Sequence, residues 1–320
     1  MNIPFISFDE GEALCDWIGL TEALAAGHER PKAEIGDTFL RRGADTVLNR
    51  AAWIDGLGAL VKTATIHPGN TARGLPTING AVSLFDDTTG MLQAMVDFHL
   101  VTKWKTAGDS LLGARRLARP EARKVLIVGA GTVARSLYQA YTAGFPEAEF
   151  TIWNRTRSRA EDLAAECPGM AVADDLEAAV RGAEIITSAT MSTSPVIRGD
   201  WLQPGQHVDL IGAYRADMRE VDDRALQRAR VFVDSLDTTL GHIGEIQMPL
   251  DSGAIGRDAL LADHYTPEAM VRTSDREITL FKNGGGAHLD LMTSAYILDR
   301  WARSEERRVG KECLSGCISR

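Results

Sequence analysis

Gly129-Ala130-Gly131-Thr132-Val133-Ala134 stands directly after an apolar run, Lys124 to Val128, and directly before a helical pattern. This is the layout of a strand feeding a phosphate-binding turn. Gly129 would let the chain turn tightly off the strand, and Gly131 would let backbone N–H groups approach a pyrophosphate with no side chain between. Ala134 stands where a third small residue packs helix against sheet. The pyrophosphate would sit on the positive end of the helix that opens at Thr132 and Val133. Taken alone, a G-x-G-x-x-A turn is a weak signal, and a glycine-rich turn with no ligand is the bland alternative. A second apolar run, Phe150 to Trp153, arrives about 20 residues on and supplies the βαβ spacing that the chemistry requires.

The residues after Trp153 bear on which dinucleotide is held. An NAD site usually places an acid there, on the ribose 2′-hydroxyl. This chain reads Asn154-Arg155-Thr156-Arg157-Ser158-Arg159. Ser158 and Glu161 are spaced as a capping box opening the next helix, so the arginines gather at a helix N-terminus, where the macrodipole disfavours cations. A 2′-phosphate accounts for them, because guanidinium offers planar multi-donor recognition of phosphate; a solvated basic patch is the alternative. The expected cofactor is NADP(H), with Asn154, Arg155, Thr156 and Arg159 at its ribose end.

Elements must carry these motifs, and the chain is long enough to supply them. At 320 residues and 44% hydrophobic, it can bury the cores of two domains. A net charge of -9 argues against sequence-independent binding to nucleic acid or to an anionic membrane. There is no long apolar run and no leader-like N-terminus, so a soluble cytoplasmic protein is expected. Cys15 and Cys167 read as small apolar or semi-exposed residues. Cys313 and Cys317 lack the second Cys or His pair of a zinc site, and no metal is expected. His99, His242 and His264 show no spacing of ligands or of a triad, and His67 reads as a turn or core residue.

Ahead of the glycine turn, Asp9 reads as the cap of a helix through Leu14 and Ile18, with a second helical stretch from Thr21 to Ala26. Ala59 to Ile66 alternates, and Gly80 to Phe85 with Met91 to Val96 reads as a hairpin turning at Asp86 to Gly90. Leu100 to Ala118 reads as a long helix stopped before Pro120. From Arg123, strands at Val125, Phe150, Glu184 to Ala189, Val208 to Gly212 and Val231 to Asp234 alternate with helices, Asp175 to Val180 among them with Gly182 as its C-terminal cap. That alternation argues for a parallel doubly wound sheet. Asn283 to Gly286 is a flexible turn, His288 to Arg303 is an amphipathic helix, and residues 305–320 lose periodicity and read as a disordered or non-native tail.

In order and content, four stretches resemble the ornithine cyclodeaminase and mu-crystallin family: Gly58 to Asn70, Gly74 to Gly90, Leu100 to Pro120, and the nucleotide turn with its Asn154-Arg155-Thr156 ending. Weaker matches lie at Thr187 to Pro195, Gly205 to Asp222 and Gly284 to Asp290. The resemblance implies an α/β architecture: a Rossmann-type doubly wound parallel sheet domain (113–287) inserted into a smaller α+β substrate-binding and dimerisation domain (1–112 plus 288–304). It implies a homodimer. Lys62 looks like the family's substrate lysine, Thr77 like its residue at the cofactor pyrophosphate, and Thr190, Ile211 and Gly212 like further cofactor contacts. A surface lysine on an edge strand is the bland reading of Lys62. Lys105 falls where the family normally has an arginine, in the first turn of the expected helix, where a cation is unfavourable unless it grips an anion. Lysine is a point charge rather than a fork, so Arg41 or Arg42 is expected to supply the fork, with Arg42 taken as the substrate-binding candidate. Asp290 either faces the nicotinamide or the lysines, or is a helix N-cap.

Family cyclodeaminases carry an aspartate after the fifth strand. Here the strand ends Ile211-Gly212-Ala213-Tyr214, and the nearest carboxylate is Asp217. The resemblance therefore implies NADPH-dependent reduction of small cyclic imino acids such as Δ1-pyrroline-2-carboxylate or Δ1-piperideine-2-carboxylate, with Lys62 and Asp290 as the catalytic candidates. The alternatives are a cyclodeaminase or an amino-acid or opine-type dehydrogenase on the same fold, and a non-catalytic ligand-binding protein.

Overall fold

The computed structural model describes residues 3–318, with side chains to residue 307. The chain divides into two compact units, Met1–Lys105 with Ala287–Arg320, and Thr106–Gly286. The division falls inside the helix Phe98–Leu117, ahead of the 112/113 join expected from sequence.

The first unit is built on β1 (Phe5–Ile6), β2 (Glu34–Arg42), β3 (Asp45–Ile54), β4 (Gly58–Ile66), β5 (Ile78–Phe85) and β6 (Leu92–Asp97), in the order β1-β6-β5-β4-β3-β2. All neighbours are antiparallel except β1 with β6. The expected hairpin is β5–β6; Asp86 Oδ1 accepts from the Thr88 and Thr89 N–H groups in its turn. Strands β2 and β3 escaped the sequence because β2 is exposed at every residue and β3 is half-buried along most of its length, so neither shows an apolar face of period two.

Asp97 ends β6 and starts the next helix, its Oδ1 accepting from the N–H groups of His99 (2.8 Å) and Leu100 (2.9 Å). At the N-terminus the cap is Ser7 rather than Asp9, in a reciprocal capping box with Glu10, and Asp16 caps a separate helix, Trp17–His28. The return helix, Ala287–Ile318, packs on β3, β4 and β5 and on Trp17–His28. It continues through the stretch expected to be a tail, because the Glu, Arg and Lys residues there are good helix formers whether or not they keep an apolar period. The Cys313 and Cys317 side chains and residues 319–320 lie outside the described residues.

The second unit is α/β, with an eight-stranded, all-parallel sheet. Its strands are β7 (Lys124–Val128), β8 (Glu149–Trp153), β9 (Ala171–Val172), β10 (Ile185–Ser188), β11 (His207–Leu210), β12 (Ala229–Val233), β13 (Leu260–Ala262) and β14 (Ile278–Lys282), in the order β13-β12-β14-β11-β10-β7-β8-β9. Strands β10 and β11 are buried throughout, as expected of a sheet covered on both faces. Strand order reverses at β7, so the crevice beyond its C-terminal end is the fold's ligand position. Two sequence details are corrected. Helix Arg157–Glu166 has Thr156 at its N-cap with no side-chain bond, so the Ser158–Glu161 box does not form. Asp175 does cap Leu176–Gly182, but the C-cap is Ala183 in extended backbone, not Gly182. No helix among the described residues is long and apolar enough to cross a membrane.

Candidate functional site

Two constellations emerge, one in each unit. In the first unit, Lys62 and Lys105 share one buried carboxylate. Lys62 Nζ lies 2.9 Å from Asp290 Oδ1, and Lys105 Nζ lies 2.9 Å from Asp290 Oδ2. All three residues are buried, with 5%, 5% and 0% exposure, so this is a charge cluster of net +1 out of water. Lys62 comes from interior strand β4, which rules out the edge-strand reading. Its ammonium also donates to Thr102 Oγ1 at 2.8 Å and sits 4.5 Å over the Phe98 ring. Asp290 is the fourth residue of the return helix, not its cap. Lys105 is the eighth residue of Phe98–Leu117, because the helix begins earlier than read, so the first-turn argument about its charge falls away.

The electrostatics follow from this geometry. Burial pushes the Asp290 carboxyl up, but Lys105, Lys62 and Arg50 outweigh it and hold the group down at about 2. Burial pushes the Lys105 ammonium down; Asp290 opposes this while Lys62 and Arg50 add to it, leaving it at about 8. Arg50 is the residue the sequence missed. It lies opposite Lys62 in the β3–β4 register, and its guanidinium pairs with Asp37 at 3.2 Å. Arg42 is not brought to the cluster: it pairs with Asp45 at 3.1 Å beside the β2–β3 turn, with its side chain 84% exposed. Arg41, likewise on β2, lies 5.3 Å from the Phe39 ring centroid. Thr77, just before β5, is half-buried, and its carbonyl accepts from His67 N–H.

In the second unit the loops after β7, β10 and β11 meet. Gly129 takes φ +106°, and a Cβ there would stand 2.9 Å from the Ala189 carbonyl oxygen. Gly212 passes so close to Thr190 that a Cβ would fall 1.8 Å from its carbonyl oxygen. Gly131 N-caps the helix Thr132–Gly144 and would meet nothing with a Cβ, which leaves the N-terminus of that helix open on this side. Thr132 is exposed, Val133 and Ile211 half-buried. After β8, Asn154 Nδ2 donates to the Thr156 carbonyl. Arg157 is explained locally, by Glu161 and Asp174. Arg155 and Arg159 are exposed and carry no ion pair among the described residues. Open N–H groups and close-packed glycines fit the phosphates of a dinucleotide.

A carboxylate does reach the β11 loop, and it is neither at the slot after Gly212 nor Asp217. Asp217 is held by Arg215 at the surface. Glu220 is fully buried: its Oε2 accepts from Gly212 N–H at 2.6 Å, and its Oε1 accepts from Thr190 N–H, Thr190 Oγ1 and Ser188 Oγ at 2.7, 2.8 and 2.7 Å. Glu245 in turn accepts from the backbone N–H groups of Glu220 and Val221. Burial pushes both carboxyls up, and the Lys282 ammonium opposes it. No sequence signal marks Glu220, because its partners, two backbone N–H groups and two hydroxyls, stand 8 to 32 residues away in the chain. Buried His264 lies between buried Asp109 and half-buried Arg116, and no group of potential metal ligands occurs among the described residues.

A glycine turn at the switch point of a doubly wound parallel sheet defines a dinucleotide-binding protein. The chain belongs to the ornithine cyclodeaminase/mu-crystallin family, whose model matches residues 54–305. It is 52% identical over 301 residues to a Delta(1)-pyrroline-2-carboxylate reductase of Paracoccus denitrificans, covering 92% of this chain and 95% of that protein. Among solved structures it resembles Thermococcus litoralis Delta(1)-pyrroline-2-carboxylate reductase in complex with NADH and L-proline, with a TM-score of 0.87 at 24% identity over 95% of this chain and 98% of that one. An archaeal alanine dehydrogenase dimer with bound NAD has a TM-score of 0.86 at 25% identity, with the same coverage.

Proposed function

We propose that this protein is an NADPH-dependent reductase of small cyclic imino acids, such as Δ1-pyrroline-2-carboxylate or Δ1-piperideine-2-carboxylate, forming the L-amino acid. The observation that carries the reading is the buried cluster of Lys62, Lys105 and Asp290, whose excess positive charge suits an anionic substrate and whose ammoniums can orient and protonate an imine. The Paracoccus reductase at 52% identity supports the substrate class. The nicotinamide cofactor, once bound, supplies hydride. Arg50, Lys62 and Lys105 fix the carboxylate, and Asp290 keeps the two lysines together. Thr77, Gly129, Gly131, Thr132, Val133, Thr190, Ile211 and Gly212 hold the cofactor, with Asn154, Arg155, Thr156 and Arg159 at the 2′-phosphate. Exposed Ile35, Phe39, Leu40, Trp53 and Val61 on β2–β4 support a homodimer.

The experiment is cofactor oxidation by purified protein, with NADPH and NADH compared, against a panel of cyclic and acyclic imino acids, with ammonia followed in parallel. NADPH consumed in proportion to a cyclic imine, with no ammonia from ornithine, is expected. Catalytic ammonia release from ornithine without net change in cofactor would overturn the reading, and a requirement for an added amine donor would move it to an opine-type dehydrogenase.

A further inference from the structure

We infer that Thr102 is a positioning residue for substrate binding: its hydroxyl oxygen, fixed as an acceptor, aims the Lys62 ammonium at the substrate carboxylate. The assignment rests on the reductase reading, and it names the group that sets the direction of one of the cations holding the substrate.

Phe98, Thr102 and Lys105 recur at i, i+4 and i+7 in the helix Phe98–Leu117, a spacing that puts them on one face. The first two seat Lys62. Its ammonium lies 2.8 Å from Thr102 Oγ1, 2.9 Å from Asp290 Oδ1 and 4.5 Å from the Phe98 ring centroid. The Thr102 hydroxyl donates to the Phe98 carbonyl at 2.8 Å, the back-bond open to a threonine inside a helix. With its hydrogen committed there, the oxygen meets Lys62 only as an acceptor. The back-bond needs no lysine beside it, so the contact with Lys62 is a separate use of the hydroxyl.

A lysine head is a compact charge on a flexible four-carbon stem, and a single acceptor leaves it free to swing. Two acceptors on different elements do not. Asp290 Oδ1 comes from the return helix and Thr102 Oγ1 from Phe98–Leu117, and together they take two of the three N–H bonds of the ammonium. Among the described residues no third hydrogen-bond acceptor meets Lys62, so its remaining N–H is available to a carboxylate. Removing the Thr102 oxygen leaves a second N–H without its acceptor and the direction of the ammonium unset. The loss falls on substrate holding rather than on hydride transfer, because a carboxylate is held alike before and during the chemical step.

Thr102→Val keeps the shape of the side chain and deletes the acceptor. Expected is a rise of about tenfold or more, the loss of one hydrogen bond to a charged group, in KM for a cyclic imine and in Kd for the saturated analogue L-proline read by calorimetry. In the same variant kcat and NADPH affinity stay within about threefold of wild type, as for an interaction that binds substrate and transition state alike. Thr102→Ser restores the oxygen and should recover most of the lost affinity. Should Thr102→Val fail to fold, Thr102→Ala and Thr102→Ser differ by the hydroxyl alone and read the same contrast. An active wild type whose acceptor-free variant keeps its KM overturns the proposal alone. So does a serine variant as weak as the valine or alanine one, which would make the methyl group the part that matters, and so does an equal loss of NADPH affinity, which would make the effect one of the fold. A wild type inert toward every cyclic imine with either cofactor overturns the functional reading and this assignment with it.

Discussion

The two units hold charge in opposite ways. In the first, Lys62, Lys105 and Asp290 come from a strand and two helices far apart in the chain and meet with almost no exposure. In the second, Arg155 and Arg159 stand on a contiguous stretch in solvent, and the anion-facing work falls to backbone N–H groups at a helix start. Burial makes the first cluster strong and costly. Each ammonium has given up water, so its worth depends on Asp290 being present and ionised. Exposure makes the arginines cheap to keep and individually weak. A mutation in the first cluster should therefore disturb fold and chemistry together, whereas one at the second should disturb affinity alone.

The hardest test of that contrast is Asp290→Ala. It strands two buried ammoniums beside Arg50, and removal of one partner from a buried ion pair costs about 3–5 kcal/mol. Denaturant unfolding should show this loss, and a change below about 1 kcal/mol would mean that the cluster is effectively solvated. The pH dependence has a definite sign. Asp290 is held at about 2, below its ordinary 3.8, so its stabilisation is full above 3.8 and is lost as pH falls through about 2. Lys105 is held at about 8, below its ordinary 10.5, so the cost of burying its charge is present below 8 and is released as pH rises from 8 to 10.5.

The same contrast governs what could be read from the sequence. The glycine turn, its flanking strands and the arginines are contiguous, and local physics demands those residue types, so the turn and five of the second unit's eight strands are legible from pattern alone. The lysine cluster was readable only through family resemblance, because nothing local connects positions 62, 105 and 290. Arg50 was missed because β2 and β3 bury too little to show a period, and without them the Arg50–Lys62 register is invisible. Asp290 reads equally as an N-cap in the sequence because an aspartate near a helix start commonly caps it, whereas the structure makes it the fourth residue of Ala287–Ile318. Strand β14 was missed because its apolar run ends in Lys282, a charged residue that only tertiary partners explain.

Glu220→Gln tests an intermediate case, a buried group bound equally by backbone N–H groups and by hydroxyls. An amide has one carbonyl oxygen where the carboxylate has two acceptors. Whichever way it turns, its NH2 faces a backbone N–H, of Gly212 or of Thr190. One lost bond with an unsatisfied buried donor costs about 1–3 kcal/mol. Cofactor affinity measured by calorimetry should fall by about tenfold, while KM for the imine at saturating cofactor moves less. Unchanged cofactor affinity would show that the Glu220 bonds stabilise the fold without shaping the cofactor loops.

The smallest effect is expected at Arg155, and it is the most selective. The side chain is exposed and its guanidinium carries no ion pair among the described residues, so Arg155→Ala removes nothing that the folded chain relies on. The melting temperature should not move. A guanidinium on a solvent-exposed 2′-phosphate contributes about 1 kcal/mol, roughly a fivefold change in affinity. That loss should appear in the KM for NADPH and not in the KM for NADH, because only the first carries the phosphate. Equal changes for both cofactors would make Arg155 a general surface charge and leave Arg159 to account for any NADPH preference. A loss of thermal stability would break the contrast itself, since it would mean that this exposed arginine, like the buried lysines, is committed to the fold.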